Sequence, residues 1–317
     1  MRLGRVLAGR VLSAVGTLFG VSVLLFAGCH LVPGQTATAV LGAGATPDQI
    51  RQFNRDAGLD RPLIAQYLSW LGHAVRGDLG TSWAHNEPVS TVIGGNLGST
   101  LVLVALAGGL TVLGALTVGL AAGLRPGRAA DTVLTAASVT VVSIPQFVAA
   151  SLAVLVFATG LHWLPAVSLV PYGGTPFTRP EILVLPVAVL AAFGIAWAGR
   201  LVRASVLDAS ASPHVEASRL AGLPERVVIR RHLLPSVAGP IAQTLAWLVG
   251  ALVGGTAVVE RVFAYPGLSQ PLIQAVSQHD TPVVEGVGLL LAATILTALV
   301  LADVIGLLAD PRTQAVR

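Results

Sequence analysis

LGSTLVLVALAGGLTVLGALTVGLAAGL, residues 97–124, runs for 28 positions without one charged side chain. A helix of this length rises about 42 Å, which exceeds the ~30 Å of hydrocarbon in a bilayer. Inside lipid the backbone polar groups need partners within the segment, so such a run is expected to be a helix. This stretch therefore predicts a membrane-spanning helix.

Five further long apolar windows indicate that the chain is an integral membrane protein. The 317 residues are 54% hydrophobic and 11% charged, with a mean hydropathy of +0.79, against about 25% charged residues in soluble domains. We predict an all-α integral membrane protein with six spans, at 11–32, 97–124, 132–160, 182–206, 237–259 and 283–308.

The arginines predict the orientation of the spans. All 19 basic residues are arginine, and with a cytoplasmic N-terminus thirteen of them fall on the inner side and six on the outer side. The predicted organisation is a cytoplasmic N-terminus (1–10), a six-span transmembrane domain (11–308) and a cytoplasmic tail (309–317). An outer loop covers 33–96 and a polar cytoplasmic loop covers 207–236. Lysine-free, alanine- and glycine-rich usage suggests a bacterial chain, hence a multi-pass protein of the bacterial cell (inner) membrane.

The outer loop contains signals for two helices. Thr46, Pro47 and Gln49 form a capping box with proline at the first helical position, and Gly58 is expected to end that helix. A second helix at about 62–76 carries an apolar face that includes Tyr67 and Trp70. We expect this face to lie on the bundle or at the membrane surface.

The stretch EASRLAGLPERVVIRRHLLP, Glu216–Pro235, is the polar exception between two apolar runs. Four arginines at mid-bilayer would cost about 12 kcal/mol on insertion scales, so the stretch is not a span. Its pattern is helix, break, helix. The first helix is predicted at 213–221, with Pro213 near its start. Gly222 suits a left-handed turn, and Pro224 and Glu225 suit the start of the second helix. Periodicity alone leaves open whether this is a partner-docking helix pair or a solvated, arginine-rich loop.

Within that stretch, Glu216-Ala217-Ser218 with Gly222 resembles the EAA loop of bacterial ABC-importer permeases. Four more segments resemble the dipeptide/oligopeptide branch of that family, in the same order along the chain: TLFGVSVLLFAGCHLVPG, GLDRPLIAQYLSWLGHAVRGDLGTSW, GGTAVVERVFAYPGLSQPLIQAVSQHDTP and the DPR at 310–312.

The resemblance implies a type I ABC importer permease fold, in which the 207–236 loop is an EAA-type coupling loop. It also implies several partners. A homologous second permease subunit would complete the translocation path, two cytoplasmic ATPase subunits would dock on the 214–235 loop, and an extracytoplasmic solute-binding protein would deliver peptides or similar small solutes. The residues carried over to the ATPase contact are Glu216, Ala217, Ser218, Arg219 and Gly222.

Two acids in the spans, Glu260 and Asp303, are candidates for a gate or pathway role, because ionisable residues in membrane helices are often functional. They also motivate the alternative hypothesis of a proton-coupled secondary transporter. A local ion pair and a helix-packing role are the plain alternatives.

Other classes of function lack support in the sequence. Without lysine the chain cannot form the G-x-x-x-x-G-K-[ST] phosphate loop, and the seven histidines show no metal-ligand spacing. We expect no catalytic residues, no cofactor, no metal and no nucleic-acid partner; the lipid bilayer is the main solvent.

Overall fold

The chain is helical in the computed structural model, which describes residues 2–30, 35–42, 44–170 and 174–309. Among these residues the one β-bridge joins Thr81 to Pro88. The α-helices are α1 (Arg2–His30), α2 (Gln35–Leu41), α3 (Pro47–Asp56), α4 (Leu63–Val75), α5 (Val89–Gly123), α6 (Ala129–Ser143), α7 (Gln146–Ala153), α8 (Glu181–Ser210), α9 (Pro213–Leu220), α10 (Glu225–Val228), α11 (Leu234–Val262), α12 (Ser269–Gln278) and α13 (Thr281–Ala309). Two π-helical segments, Val154–Gly160 and Ile229–Leu233, and a 3₁₀ turn, Pro176–Thr178, complete the described elements.

Five of the six predicted spans correspond to single long apolar helices: α1, α5, α8, α11 and α13. The third, predicted as one helix over 132–160, is instead a pair. α6 and the α7–π segment are bent by 100° at Ile144 and Pro145. Proline lacks an N–H for the helical ladder and pushes the residue before it out of the α region. Ile144 accordingly has φ −85° and ψ 129°. With this bent pair as one span, the count is six.

The first compact unit takes Met1–Thr100 and Pro266–Leu296. It holds both helices predicted for the outer loop. α3 begins with the Thr46–Gln49 capping box and is followed by Gly58 at φ +69°. The predicted face of α4 lies on α1, where the Tyr67 hydroxyl is 2.9 Å from Ser22 Oγ and the Trp70 ring is 6.0 Å from that of Phe26. α2 and α12 were not predicted as helices.

The second unit takes Leu101–Tyr265 and Thr297–Arg317. Its core joins α5, α8 and α11 through buried side chains such as Leu103, Leu190 and Leu248. The α5 and α8 backbones approach closely at Gly119, one of the small residues that the sequence marks as helix-packing positions. A Cβ there would lie 2.5 Å from the Val202 Cβ. At Gly16, Gly20 and Gly254, which have the same kind of spacing, a Cβ would meet no neighbouring atom of the described chain within 4 Å.

Candidate functional site

The polar stretch between α8 and α11 folds as a compact platform. We call residues 213–233, comprising α9, α10 and the π-helical segment, the coupling platform. Pro213 occupies the first position of α9, where its missing N–H is tolerated. Gly222 turns the chain with φ +75°, and the Gly222 N–H donates to the Arg219 carbonyl at 3.0 Å. The predicted pattern of helix, left-handed glycine and second helix is therefore present.

One face of the coupling platform is sealed against the ends of the spans. Val206 of α8, Val215 of α9, Val228 of α10 and Leu233 of the π-helical segment are fully buried in one cluster. Leu120 and Leu124, at and just after the end of α5, pack against it. A fully solvated loop would not bury such a cluster. The platform therefore packs against α8 and the start of α11.

The π-helical geometry changes which residues face inward. An α-helical pattern places Val227, Val228, Arg231 and Leu234 on one face, but Arg231 is exposed. Because π-helical hydrogen bonds join residues five apart, Val228 aligns with Leu233 instead.

The five residues predicted for the ATPase contact divide into two groups. Glu216, Ala217, Arg219 and Gly222 are exposed, whereas Ser218 is buried and donates its hydroxyl to the His214 carbonyl at 2.8 Å. Arg219 is bonded within the chain. It donates to the Glu225 carboxylate at 3.0 and 3.3 Å and to the Ser210 carbonyl at 3.1 Å. Arg219, on α9, therefore connects that helix to the last residue of α8 and to the first residue of α10.

Two apolar side chains on the platform point away from the buried cluster. Leu220 is 83% exposed and Leu223 is 39% exposed. Leu220 follows Glu216 by four residues, so the two share a face of α9. The sequence reasoning missed this leucine pair, although a leucine one turn after Glu216 could have suggested it once Val215 and Ser218 were known to point inward.

A charged pair joins α6 and α8 close to the platform. Arg203 donates to Asp131 from Nε at 2.6 Å and from Nη2 at 3.0 Å, and the Asp131 side chain is only 6% exposed. Asp131 also accepts from the Gly127 N–H at 3.0 Å. The Arg203 guanidinium is thus held in a bidentate pair with the Asp131 carboxylate.

The two acids proposed for a gate or pathway lie in separate helices. Glu260 is completely buried in α11, two residues before its end, and its carbonyl accepts from the Tyr265 N–H. Asp303 is half-buried in α13. Neither acid belongs to the coupling platform. The role of each stays a prediction.

A buried aspartate fastens a loop within the first unit. Asp280, between α12 and α13, is 1% exposed. It accepts hydrogen bonds from the Ser82 hydroxyl and from the Trp83 and Ala84 N–H groups, the latter two at 3.0 and 3.4 Å. The sequence does not reveal this anchor, because Ser82 and Asp280 are 198 positions apart.

Comparisons with known proteins agree with the resemblance of the motifs. Residues 115–315 match the family described as binding-protein-dependent transport system inner membrane component, and residues 3–104 match the N-terminal region of such components. The C-terminal DPR at 310–312 lies outside the described residues of the structure.

Two relatives match over nearly their whole length. A peptide transport system permease protein of Brucella abortus (strain 2308) is 32% identical over 305 residues, which is 96% of this chain and 97% of the relative. The oligopeptide transport system permease protein AppB of Bacillus subtilis (strain 168) is 29% identical over 308 residues, covering 96% and 98%.

A solved structure of the MetNI methionine ABC transporter gives a TM-score of 0.49 at 18% identity, covering 72% of this chain and 97% of that chain. The chain belongs to the family of inner membrane components of binding-protein-dependent transport systems.

Proposed function

We propose that the chain is the membrane-spanning permease of an ATP-binding-cassette importer for peptides or similar small solutes. It forms the translocation path with a homologous second permease subunit, and a solute-binding protein delivers the cargo from outside. Its relatives are named as peptide and oligopeptide permeases. The chain itself has no catalytic part in this proposal, since two cytoplasmic ATPase subunits hydrolyse the ATP.

The observation that carries this proposal is the two-sided build of the coupling platform. Its inner face is locked to the spans by Val206, Val215, Val228 and Leu233, while its outer face presents Leu220 and Glu216. An exposed leucine beside a carboxylate on a short helix suits the groove of a soluble partner. We infer that Glu216, Ala217 and Leu220, with the turn at Gly222 and Leu223, form the docking face. Ser218 and Arg219 hold this face in place through their hydrogen bonds inside the chain.

This build also explains how force would pass into the membrane. A displacement of α9 moves the buried cluster, and the cluster moves the ends of α8 and α11 with it. The Arg219 side chain links α9 to α10 through Glu225 and to the end of α8 through the Ser210 carbonyl. Closure of the ATPase subunits would thus be transmitted as rigid-body motion that opens the path to alternate sides.

The proposal fixes the orientation of the chain in the inner membrane. Docking of cytoplasmic ATPase subunits requires the coupling platform on the inner side, which places both termini in the cytoplasm and residues 33–96 outside. The arginine distribution supports the same orientation.

The alternative of a proton-coupled secondary transporter has weaker support. Such a transporter needs an acid that water can reach near the midplane, whereas Glu260 is fully buried in this conformation. Asp303 is half-buried but lies within the last two turns of α13. Uptake measured after the proton gradient is collapsed, with ATP maintained, separates the two. Uptake that stops under these conditions would favour the proton-coupled alternative.

The docking face is tested by Leu220→Asp, with Leu220→Met as the matched control. A carboxylate at an apolar contact carries a desolvation cost, so we expect at least a roughly tenfold loss in recovery of the ATPase subunits with the purified permease. Uptake should fall in parallel, and Leu220→Met should retain both. Normal co-purification and uptake by Leu220→Asp would contradict the assignment of this face.

A further inference from the structure

The first unit contains a cavity of about 320 Å³ that the transport proposal does not use. It is an open cleft, lined by the end of α1, the turn between α3 and α4, α4 itself, the loop at 78–83 and the start of α13. Its volume lies at the lower end of the range for small-molecule pockets. The chemistry of its walls indicates which molecule it could hold.

Glu285 supplies a buried carboxylate to this cavity. Glu285 is 3% exposed, and its Oε1 has no hydrogen-bond partner among the described residues. His30 Nδ1 is 3.4 Å away but does not satisfy Oε1. That nitrogen lies 3.0 Å from the Phe26 carbonyl oxygen, which can only accept, so the Nδ1–H is directed there. A buried glutamate without a partner is stable only if it takes up a proton or if a ligand supplies a donor to its carboxylate.

Aromatic rings form the walls around this carboxylate. The Phe26 ring stacks on His30 with centroids 4.0 Å apart and lies 6.0 Å from the Trp70 ring, and Trp83 also lines the cavity. Faces of such rings attract cations within about 6 Å. The Trp70 Nε1–H is a second buried polar group without a partner in the described chain, and it can donate to an oxygen.

These groups select one class of ligand. An anion would be repelled by the ionised form of Glu285 and would not favour that form. A metal ion needs several ligands, and among the described residues no three His, Cys, Asp or Glu side chains are grouped to hold one. A neutral ligand would leave Glu285 in its protonated form, whereas a cation would stabilise the ionised carboxylate. At the exposed rim Arg61 and Asp78 carry opposite charges, so they do not change this balance.

We propose that this cavity binds a primary ammonium group that has an oxygen acceptor close by in the same molecule. Glu285 pairs with the ammonium, the Phe26 and Trp70 rings cover it, and the Trp70 N–H donates to the oxygen. An amino-acid amide or peptide terminus has this chemistry, and so does a phosphatidylethanolamine headgroup. The site is independent of the transport proposal, because it concerns binding to the permease alone.

The test is calorimetric titration of the full-length chain in phosphatidylcholine nanodiscs with phenylalanine amide. We expect binding, and a roughly tenfold or greater loss with N-acetyl-phenylalanine amide, which has no ammonium group. Glu285→Gln should show the same loss, whereas Asp78→Asn, which neutralises the exposed rim carboxylate, should stay within about twofold. No binding of phenylalanine amide, or equal binding by a Glu285→Gln variant that melts like the wild type, would overturn the proposal.

A second variant keeps the test decisive if Glu285→Gln does not fold. Trp70→Phe retains the ring and removes the N–H, so it should weaken phenylalanine amide by a few fold, about the value of one hydrogen bond. Phenethylamine, which has no carbonyl, should bind Trp70→Phe as it binds the wild type. Equal effects on both probes would remove Trp70 from the site and contradict the proposed geometry.

The same titration identifies the source of the ammonium. If phosphatidylethanolamine is the natural ligand, adding it to the nanodiscs should lower the apparent affinity for phenylalanine amide by competition. Unchanged affinity would assign the pocket to soluble amines.

Discussion

At the scale of single residues, Gly222 matters because of its backbone and not because of its surroundings. It adopts φ +75°, and a Cβ at this position would meet no atom within 4 Å. Space is therefore available for any side chain, but the left-handed conformation costs an L-residue roughly 1–2 kcal/mol. Asparagine tolerates this region much better than a β-branched residue does.

We predict that Gly222→Val shifts the turn between α9 and α10 and lowers recovery of the ATPase subunits with the permease. Gly222→Asn should remain close to wild type, because it can keep the left-handed backbone. The measurements are co-purification and uptake, side by side for the two variants. If valine leaves both unchanged, Gly222 does not set the geometry of docking.

The residue scale also shows what the sequence could not supply. Glu216, Ser218 and Arg219 are recognisable from the motif, but their division into outward and inward groups depends on which face of α9 is buried. Val215 determines that face by meeting Val206 of α8, a contact between helices that no local pattern encodes. The exposure of Leu220, which we propose as a docking residue, follows from this contact and not from any local pattern.

At the scale of elements, the spacing of glycines on α5 fixes how closely α8 can approach. A Cβ at Gly119 would lie 2.5 Å from the Val202 Cβ and 2.7 Å from the Gly199 carbonyl oxygen. Backbone atoms are among these neighbours, so a rotamer change alone cannot relieve the contact. Gly109, on the same helix, has no neighbour within 4 Å of its Cβ position.

We predict that Gly119→Ala destabilises the isolated permease in detergent by about 1–3 kcal/mol, the usual cost of overpacking. Gly109→Ala should be neutral or slightly stabilising, since alanine is the better helix former. Thermal unfolding of both variants provides the comparison. Equal melting temperatures would show that α5 and α8 do not pack through Gly119.

Five spans could be predicted from their length and hydropathy, and α3 from its capping residues. The break in the third span was missed even though its cause, Pro145, is visible in the sequence. Hydropathy does not report backbone direction, so a window that is apolar on both sides of a break has the same hydropathy profile as one straight helix. The π-helical segment at Ile229–Leu233 lacks even a local signal, since its register depends on the burial of Val228 and Leu233.

At the scale of the whole molecule, the bent pair of α6 and α7 determines the side of the membrane on which every later segment lies. If the pair crosses the bilayer, residues 174–180 lie on the same side as the outer loop and the coupling platform lies on the opposite side. If it enters and returns, these assignments are reversed for the segments that follow. Only the crossing arrangement puts the platform where cytoplasmic ATPase subunits can reach it.

We predict that the pair crosses. In a Cys29→Ser background expressed without the ATPase subunits, which would cover Leu220, a membrane-impermeant maleimide should label Asp60→Cys and Phe177→Cys in intact spheroplasts, and Leu220→Cys only after permeabilisation. All three native side chains are exposed, so access within the chain does not limit the reaction. Labelling of Leu220→Cys from outside would refute both the crossing and the assigned coupling role.

The direction in which the coupling platform faces depends on the number of residues in the π-helical segment between α10 and α11, Ile229–Leu233. Hydrogen bonds in a π-helix join residues five apart, one more than in an α-helix. Removing one position from Ile229–Leu233 would therefore return the segment to α-helical spacing, with Val228 and Leu233 four apart and still on one face. Removing a second position would turn α9 and α10 by about 100° around the axis, so the docking side chains would be chemically unaltered but would face another direction.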